Sequence, residues 1–144
     1  MEKHEPFVIE RTYAAPIARV WKAITDKSEM KQWYFDVSDF KPEIGFEFTF
    51  TGGSEEKCYV HLCKVTEVET GKKITYSWRY EGYEGNSFVT FELFEKGAVT
   101  KLRLTHVGLE TFPTDNKDFA KENFAMGWTY IIGTSLPVFV EKAA

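Results

Sequence analysis

The sequence predicts an α+β fold, a curved antiparallel sheet wrapped around a long C-terminal helix, and three observations predict it. From residue 36 the apolar period changes from helical to two, and it stays near two for some seventy residues. Beyond Gly108 that period is lost and spacings of three and four replace it. Aromatic residues are abundant, with 13 Phe, 7 Tyr and 4 Trp in 144 residues, an excess that either packs a sheet against a helix or walls a cavity. A chain of this length buries roughly two-thirds of its unfolded surface without staples. With no internal repeat, linker or low-complexity stretch, residues 1–144 read as one domain.

The elements follow in order. Phe7, Ile9, Arg11 and Tyr13 alternate with Val8, Glu10 and Thr12, which predicts an opening strand near a sheet edge. Ala14-Ala15-Pro16 stops it, and Pro16 suits the first turn of a helix, where its missing N–H would find no partner anyway. Ile17, Val20, Trp21 and Ile24 continue at helical spacing to about Thr25. Asp26 then caps a second short helix, with Glu29 completing a capping-box-like pair and Met30 and Trp33 forming its apolar side.

Phe46, Phe48 and Phe50 alternate with Glu47, Thr49 and Thr51 as a half-buried strand, and Gly52-Gly53-Ser54 turns it. Tyr59 to Val68 is the next strand. Ile74, Tyr76, Trp78 and Tyr80 form an aromatic ladder expected to face the core, leaving Arg79 on the solvent side. Phe88 to Phe94 and Val99 to Val107 complete a meander, the last strand placing Leu102, Leu104 and His106 on one face and Arg103 on the other. From Asp115 to about Lys142 the spacing predicts one long helix whose apolar stripe runs through Phe119, Asn123, Met126, Tyr130, Ile131 and Thr134. Gly127 and Gly133 inside it imply a close approach to the sheet or room for a ligand, and Pro137 a kink or an early end.

Composition excludes several functions. The net charge of −4 is mild and mixed in sign, and no basic run tracks a phosphate backbone, so nucleic acid is not an expected partner. No apolar run approaches the roughly 20 residues of a spanning helix, and no leader pattern occurs, so the expectation is a cytoplasmic protein without membrane insertion. Cys58 and Cys63 are five apart on one strand and point to opposite faces, which predicts free thiols; only His61 shares a face with Cys63. Asp36, Asp39 and Glu43 form a loose acidic loop without calcium-loop spacing, 55–57 reads as an exposed turn, and His4 and His61 are isolated from each other. No metal, cofactor, phosphate-loop or nucleophile-elbow signature is present.

Two motifs carry a family resemblance. Glu10-Arg11-Thr12-Tyr13-Ala14-Ala15-Pro16, followed by Val20-Trp21-Lys22-Ala23-Ile24-Thr25-Asp26 and Trp33, and later Gly127-Trp128, resemble the START-like superfamily, also called SRPBCC or Bet v-like. The branch they resemble is that of the C-terminal domain of the activator of the heat-shock protein 90 ATPase. The resemblance covers essentially the whole chain and implies a helix-grip fold. It also implies a ligand cavity between the concave sheet face and the long helix, with mouth residues from the loops after the first helices.

On that frame the candidate binding residues are Trp33 and Phe35 at the mouth, Phe48, Phe50, Tyr76, Trp78, Tyr80, Leu102, Leu104 and His106 from the sheet, and Phe124, Trp128 and Ile131 from the helix. Hydroxyls of Tyr59, Tyr76, Tyr80 and Tyr130 would orient the ligand. The alternative is that these rings fill the core outright. The expected function is binding of a hydrophobic or amphipathic small molecule. A second reading is a protein-interaction module regulating a heat-shock protein 90-type chaperone, although residues 1–5 leave no room for the extra domain that eukaryotic co-chaperones carry. A third is a cyclase- or hydratase-like enzyme using His106 as its base, for which no catalytic partner shares the face. Either a monomer or a homodimer paired through an edge strand is compatible with the sequence.

Overall fold

The computed structural model describes residues 6–34, 36–53, 58–113 and 121–142, with only the main chain at 53, 58 and 142. His4, Phe35, the 54–57 turn, Asp115 and Phe119 lie outside the described residues, as does the side chain of Cys58.

Strand β1 (Phe7–Tyr13) is followed by helices α1 (Ile17–Thr25) and α2 (Lys27–Trp33). Then come β2 (Glu47–Gly53), β3 (Cys58–Glu69), β4 (Lys73–Tyr80), β5 (Ser87–Lys96) and β6 (Val99–Val107). The six strands form one sheet in the order β1-β6-β5-β4-β3-β2, every pair antiparallel. The meander is therefore closed at one edge by β1, the opening strand. Between Val65 and Glu67 the β3–β4 register shifts, and an extra residue of this kind bends a strand and increases its twist.

The helices begin as local chemistry dictates, with two corrections. Pro16 stands just before α1 as its cap residue, and its carbonyl accepts from the N–H groups of Arg19 and Val20. Asp26 caps α2 through its carboxylate, which accepts from Ser28 N–H at 2.8 Å. Glu29 does not close a capping box, because the Asp26 N–H it would need already donates to Lys22 O at 3.0 Å. Its carboxylate instead pairs with Arg19 and, at 3.4 Å, with Lys22, tying α2 to α1.

The chain ends in a long helix built from α3 (Lys121–Tyr130), a π-helical turn (Ile131–Ser135) and α4 (Leu136–Lys142). Its buried stripe is Phe124, Trp128, Ile132, Leu136 and Val140. The expected stripe is overturned: Met126 and Tyr130 are 66% and 63% exposed. Residues spaced by four drift around an α-helix by about 40° per step, because a turn takes 3.6 residues. The wider π turn absorbs part of that drift and keeps Trp128, Ile132 and Leu136 on the sheet.

Pro137 explains the π turn. It does not end the helix, but it has no N–H, and Leu136 N–H reaches back five residues to Ile131 O. The Ile132 carbonyl is then left without a helical donor, and the buried Tyr13 hydroxyl donates to it at 2.6 Å. A buried carbonyl without a partner would cost about 1–3 kcal/mol, so β1 and the helix are joined at the point where the helix is irregular. Neither glycine marks a close approach. A side chain at Gly127 would meet nothing, and one at Gly133 would make only ordinary contact, 3.5 Å from the Arg11 guanidinium.

Candidate functional site

Period two delivers one face of every strand to the space between sheet and helix. Register places Phe48 beside Cys63, Phe50 beside His61, His61 beside Tyr80 and Cys63 beside Trp78. It also sets Trp78 against Ser87, Val89 against His106 and Phe91 against Leu104. Phe48, Phe50, Tyr76, Trp78, Tyr80, Leu104 and His106 are all buried on this face, and Phe124 and Trp128 close it from the helix. Cys63 is a free thiol on the same face, and burial holds its proton tightly. Trp33 is buried, its indole N–H donating to Ala23 O at 2.8 Å.

The rings touch one another in series. Phe48 meets Tyr76 edge-on at 5.1 Å, and Phe50 meets Trp78 edge-on at 5.4 Å. Trp78 lies 5.5 Å from both His106 and Trp128. Phe124 meets His106 at 5.3 Å and stacks on Phe112. Such offset and edge geometries are the preferred ones for aromatic pairs.

His106 anchors one end of this face. The Trp128 indole N–H can only donate, and it lies 3.0 Å from His106 Nδ1, so Nδ1 must be the acceptor and the ring proton sits on Nε2. Nε2–H donates to Ser87 Oγ at 2.7 Å, and Ser87 donates to Trp78 O at 2.8 Å. Every polar atom in this chain of bonds is used. Burial pushes the His106 pKa down to about 3, so the ring is neutral near pH 7. A general base here would have to break the Trp128 bond first, which sets the geometry against the enzymatic reading.

Ser87 itself is held by a pinned turn. Gly108, at φ +87°, leaves no room for a side chain, since a Cβ would fall 2.8 Å from Asn86 O. The Thr111 hydroxyl, 2.9 Å from that same carbonyl, accepts from Asn86 N–H at 2.8 Å.

The opposite end is centred on a residue that period reading passes over. Tyr34 follows the last residue of α2, and its N–H donates to Met30 O. Its ring stacks near-parallel with Trp33 at 4.9 Å and with Trp128 at 6.1 Å, and meets Phe91 edge-on at 6.4 Å. The Tyr34 and Tyr76 hydroxyls share a 2.6 Å hydrogen bond. Burial raises both pKa values well above the usual phenol range, so both remain protonated and each is donor as well as acceptor. The signal in the sequence was the run of three aromatic residues at 33–35, which begins on the last residue of a helix.

His61, on the face of Cys63 as its position in the strand predicts, is enclosed by rings. It stacks on Phe50 at 4.3 Å and lies edge-on to Trp78 and Tyr80. Burial lowers its pKa to about 4, against the pull of the Tyr59 and Phe50 carbonyls. Of the tyrosines expected to point inward, Tyr59, Tyr76 and Tyr80 are buried, whereas Tyr130 faces outward. Tyr80 accepts from the Trp78 indole at 2.9 Å. Among the described residues no group of three or more His, Cys, Asp or Glu could hold a metal ion, and no helix is long and apolar enough to cross a membrane.

Comparison with known proteins agrees with this architecture. Protein MLL2253 from Mesorhizobium loti is similar over 97% of this chain and 99% of its own, with 26% identity and a TM-score of 0.81. BH1534 from Bacillus halodurans is similar over 97% and 99%, at 25% identity and a TM-score of 0.76. CalU16 from Micromonospora echinospora is similar over 94% of this chain and 75% of its own, at 26% identity and a TM-score of 0.72. No curated protein matches the sequence. The helix-grip fold is of a small-ligand-binding kind. The model of one family spans residues 14–141, from just after β1 to the last turn of the terminal helix. The chain therefore belongs to the family of activator of Hsp90 ATPase homolog 1-like proteins.

Proposed function

We propose that this protein binds a hydrophobic or amphipathic small molecule between the concave sheet face and the C-terminal helix. The observation that carries this reading is the Tyr34–Tyr76 hydroxyl pair set within a wall of rings. The two hydroxyls satisfy each other inside an apolar wall, and a ligand that brings an oxygen to the same place can take over one side of that bond without leaving the other unpaired. Phe48, Phe50, Trp78, Tyr80, Leu104, Phe124 and Trp128 supply apolar surface, Trp33 backs Tyr34, and His106 holds Trp128 in place. The belonging of the chain to a family with a ligand-binding fold supports the same reading.

Native mass spectrometry of the purified protein tests it. The expected result is a stoichiometric adduct that is lost on denaturation, or uptake of one apolar probe per chain. No adduct, together with no thermal shift from any lipid or aromatic probe, would contradict it.

A second reading, regulation of an Hsp90-type chaperone ATPase, is supported by the family description and by the outward stripe of Met126, Tyr130 and Val138 on the terminal helix. Beside that stripe lies a groove of about 180 Å³ lined by Gln32, Ser135 and Phe139 among others. Exposed apolar patches of this kind mark contact sites. Stimulation of a chaperone ATPase that is lost in Tyr130→Ser would favour this reading; no stimulation would end it.

A further inference from the structure

We propose that Tyr34 is a built-in occupant of the binding site, a side chain that holds the place of a planar aromatic ring bearing a hydroxyl and yields it when such a ligand enters. This inference rests on the binding function proposed above.

Tyr34 differs from its neighbours in two ways. Phe50, Tyr76 and Phe91 stand on strands and Trp33 and Trp128 on helices, whereas Tyr34 stands just beyond the end of α2. Those five are buried, while Tyr34 is half-buried as a residue with its hydroxyl inside. Swinging it outward rotates a side chain and breaks no strand ladder; even its backbone bond to Met30 O can persist.

The space it would vacate has a defined chemistry. Trp33 and Trp128 lie near-parallel to the Tyr34 ring, at interplanar angles of 26° and 20°, and the Phe91 edge faces it at 89°. Only a flat ring reproduces these contacts. At its far end the Tyr76 hydroxyl, now bonded to Tyr34 at 2.6 Å, would meet the ligand's own hydroxyl. A self-occupied site lowers apparent affinity by the fraction of molecules that are open. It also spares the protein an unpaired Tyr76 hydroxyl when no ligand is bound.

The test uses 4-methylphenol, which has the shape of a tyrosine side chain, and toluene, which lacks the hydroxyl. In wild-type protein with ¹³C-labelled tyrosine rings, 4-methylphenol should move the Tyr34 ring signals, assigned with Tyr34→Phe. Tyr34→Ala should bind 4-methylphenol about tenfold or more tightly than wild type does. It should also prefer 4-methylphenol to toluene by about five- to tenfold, a preference that Tyr34→Ala/Tyr76→Phe loses. Binding of both probes to wild type with Tyr34 signals unmoved would overturn the role of Tyr34 and leave the binding function standing. Equal affinity for the two probes in Tyr34→Ala would overturn the hydroxyl anchor. Uptake of neither probe by any form of the protein would overturn both.

Discussion

The two ends of the concave face use the same residue types differently. At the β5–β6 end, Trp128, His106, Ser87 and Trp78 O form a chain of bonds in which each donor has one acceptor. All three side chains are fully or nearly fully buried and stand on regular elements. At the α2 end, two buried hydroxyls bond each other directly, one of them carried by Tyr34, a half-buried residue outside any element. A closed polar circuit rigidifies and specifies one packing, whereas a hydroxyl pair can exchange one partner for another of the same chemistry. The histidine singled out in the sequence has both ring nitrogens bonded within the fold, and a tyrosine outside every periodic segment is the better candidate for ligand contact.

The largest effect that would break this contrast is on the closed end. Trp128→Ala removes an indole packed against Trp78, Tyr34 and His106, and should cost about 3–5 kcal/mol in a denaturant titration. A loss below about 1 kcal/mol would mean that the helix does not rely on this packing. His106→Ala leaves the Trp128 N–H and the Ser87 hydroxyl without their partner and should cost about 2–4 kcal/mol. If His106 served only a ligand, the apo protein would lose little.

Acid sharpens the comparison. His106 and His61 are held at about 3 and about 4, both below the roughly 6.5 of an unfolded chain. Below that value the unfolded chain takes up protons that the folded one refuses. Stability is therefore full above pH 6.5 and falls as the pH drops, each ring contributing up to about 1.4 kcal/mol per unit until it protonates in the fold. Unfolding free energies at pH 7, 6 and 5 should fall less steeply in His106→Leu than in wild type. Equal slopes would show that His106 titrates normally.

At the adaptable end the effects on stability are smaller. Tyr76→Phe should cost about 0.5–1.5 kcal/mol and change the choice of ligand more than the stability. Smallest of all, Met126→Ser on the outward face should change stability by no more than about 0.5 kcal/mol; a larger loss would show that this face is covered.

These contrasts also explain what the sequence disclosed. The strands were legible because Ile74, Tyr76, Trp78 and Tyr80, or Leu102, Leu104 and His106, alternate without interruption, and alternation has one structural meaning. The terminal helix was legible as a helix, but its face was not. It carries apolar residues on both sides, and the π turn before Pro137 shifts the phase on which a 3.6-residue reading depends. Glu29 followed the spacing of a capping box, and only the preceding helix, which takes the Asp26 N–H, excluded it. Tyr34 was passed over because the direction of a side chain just past a helix end follows from tertiary packing and leaves no period.

The most direct test of the account is the response of the tryptophan indole N–H signals to a saturating hydroxylated aromatic probe in ¹H–¹⁵N spectra, read beside the methyl signal of Met126. Trp33 and Trp128, which flank Tyr34, should shift most, and Met126 on the outward face should stay still. Shifts confined to Met126, with the Trp33 and Trp128 indoles unmoved, would contradict binding between sheet and helix.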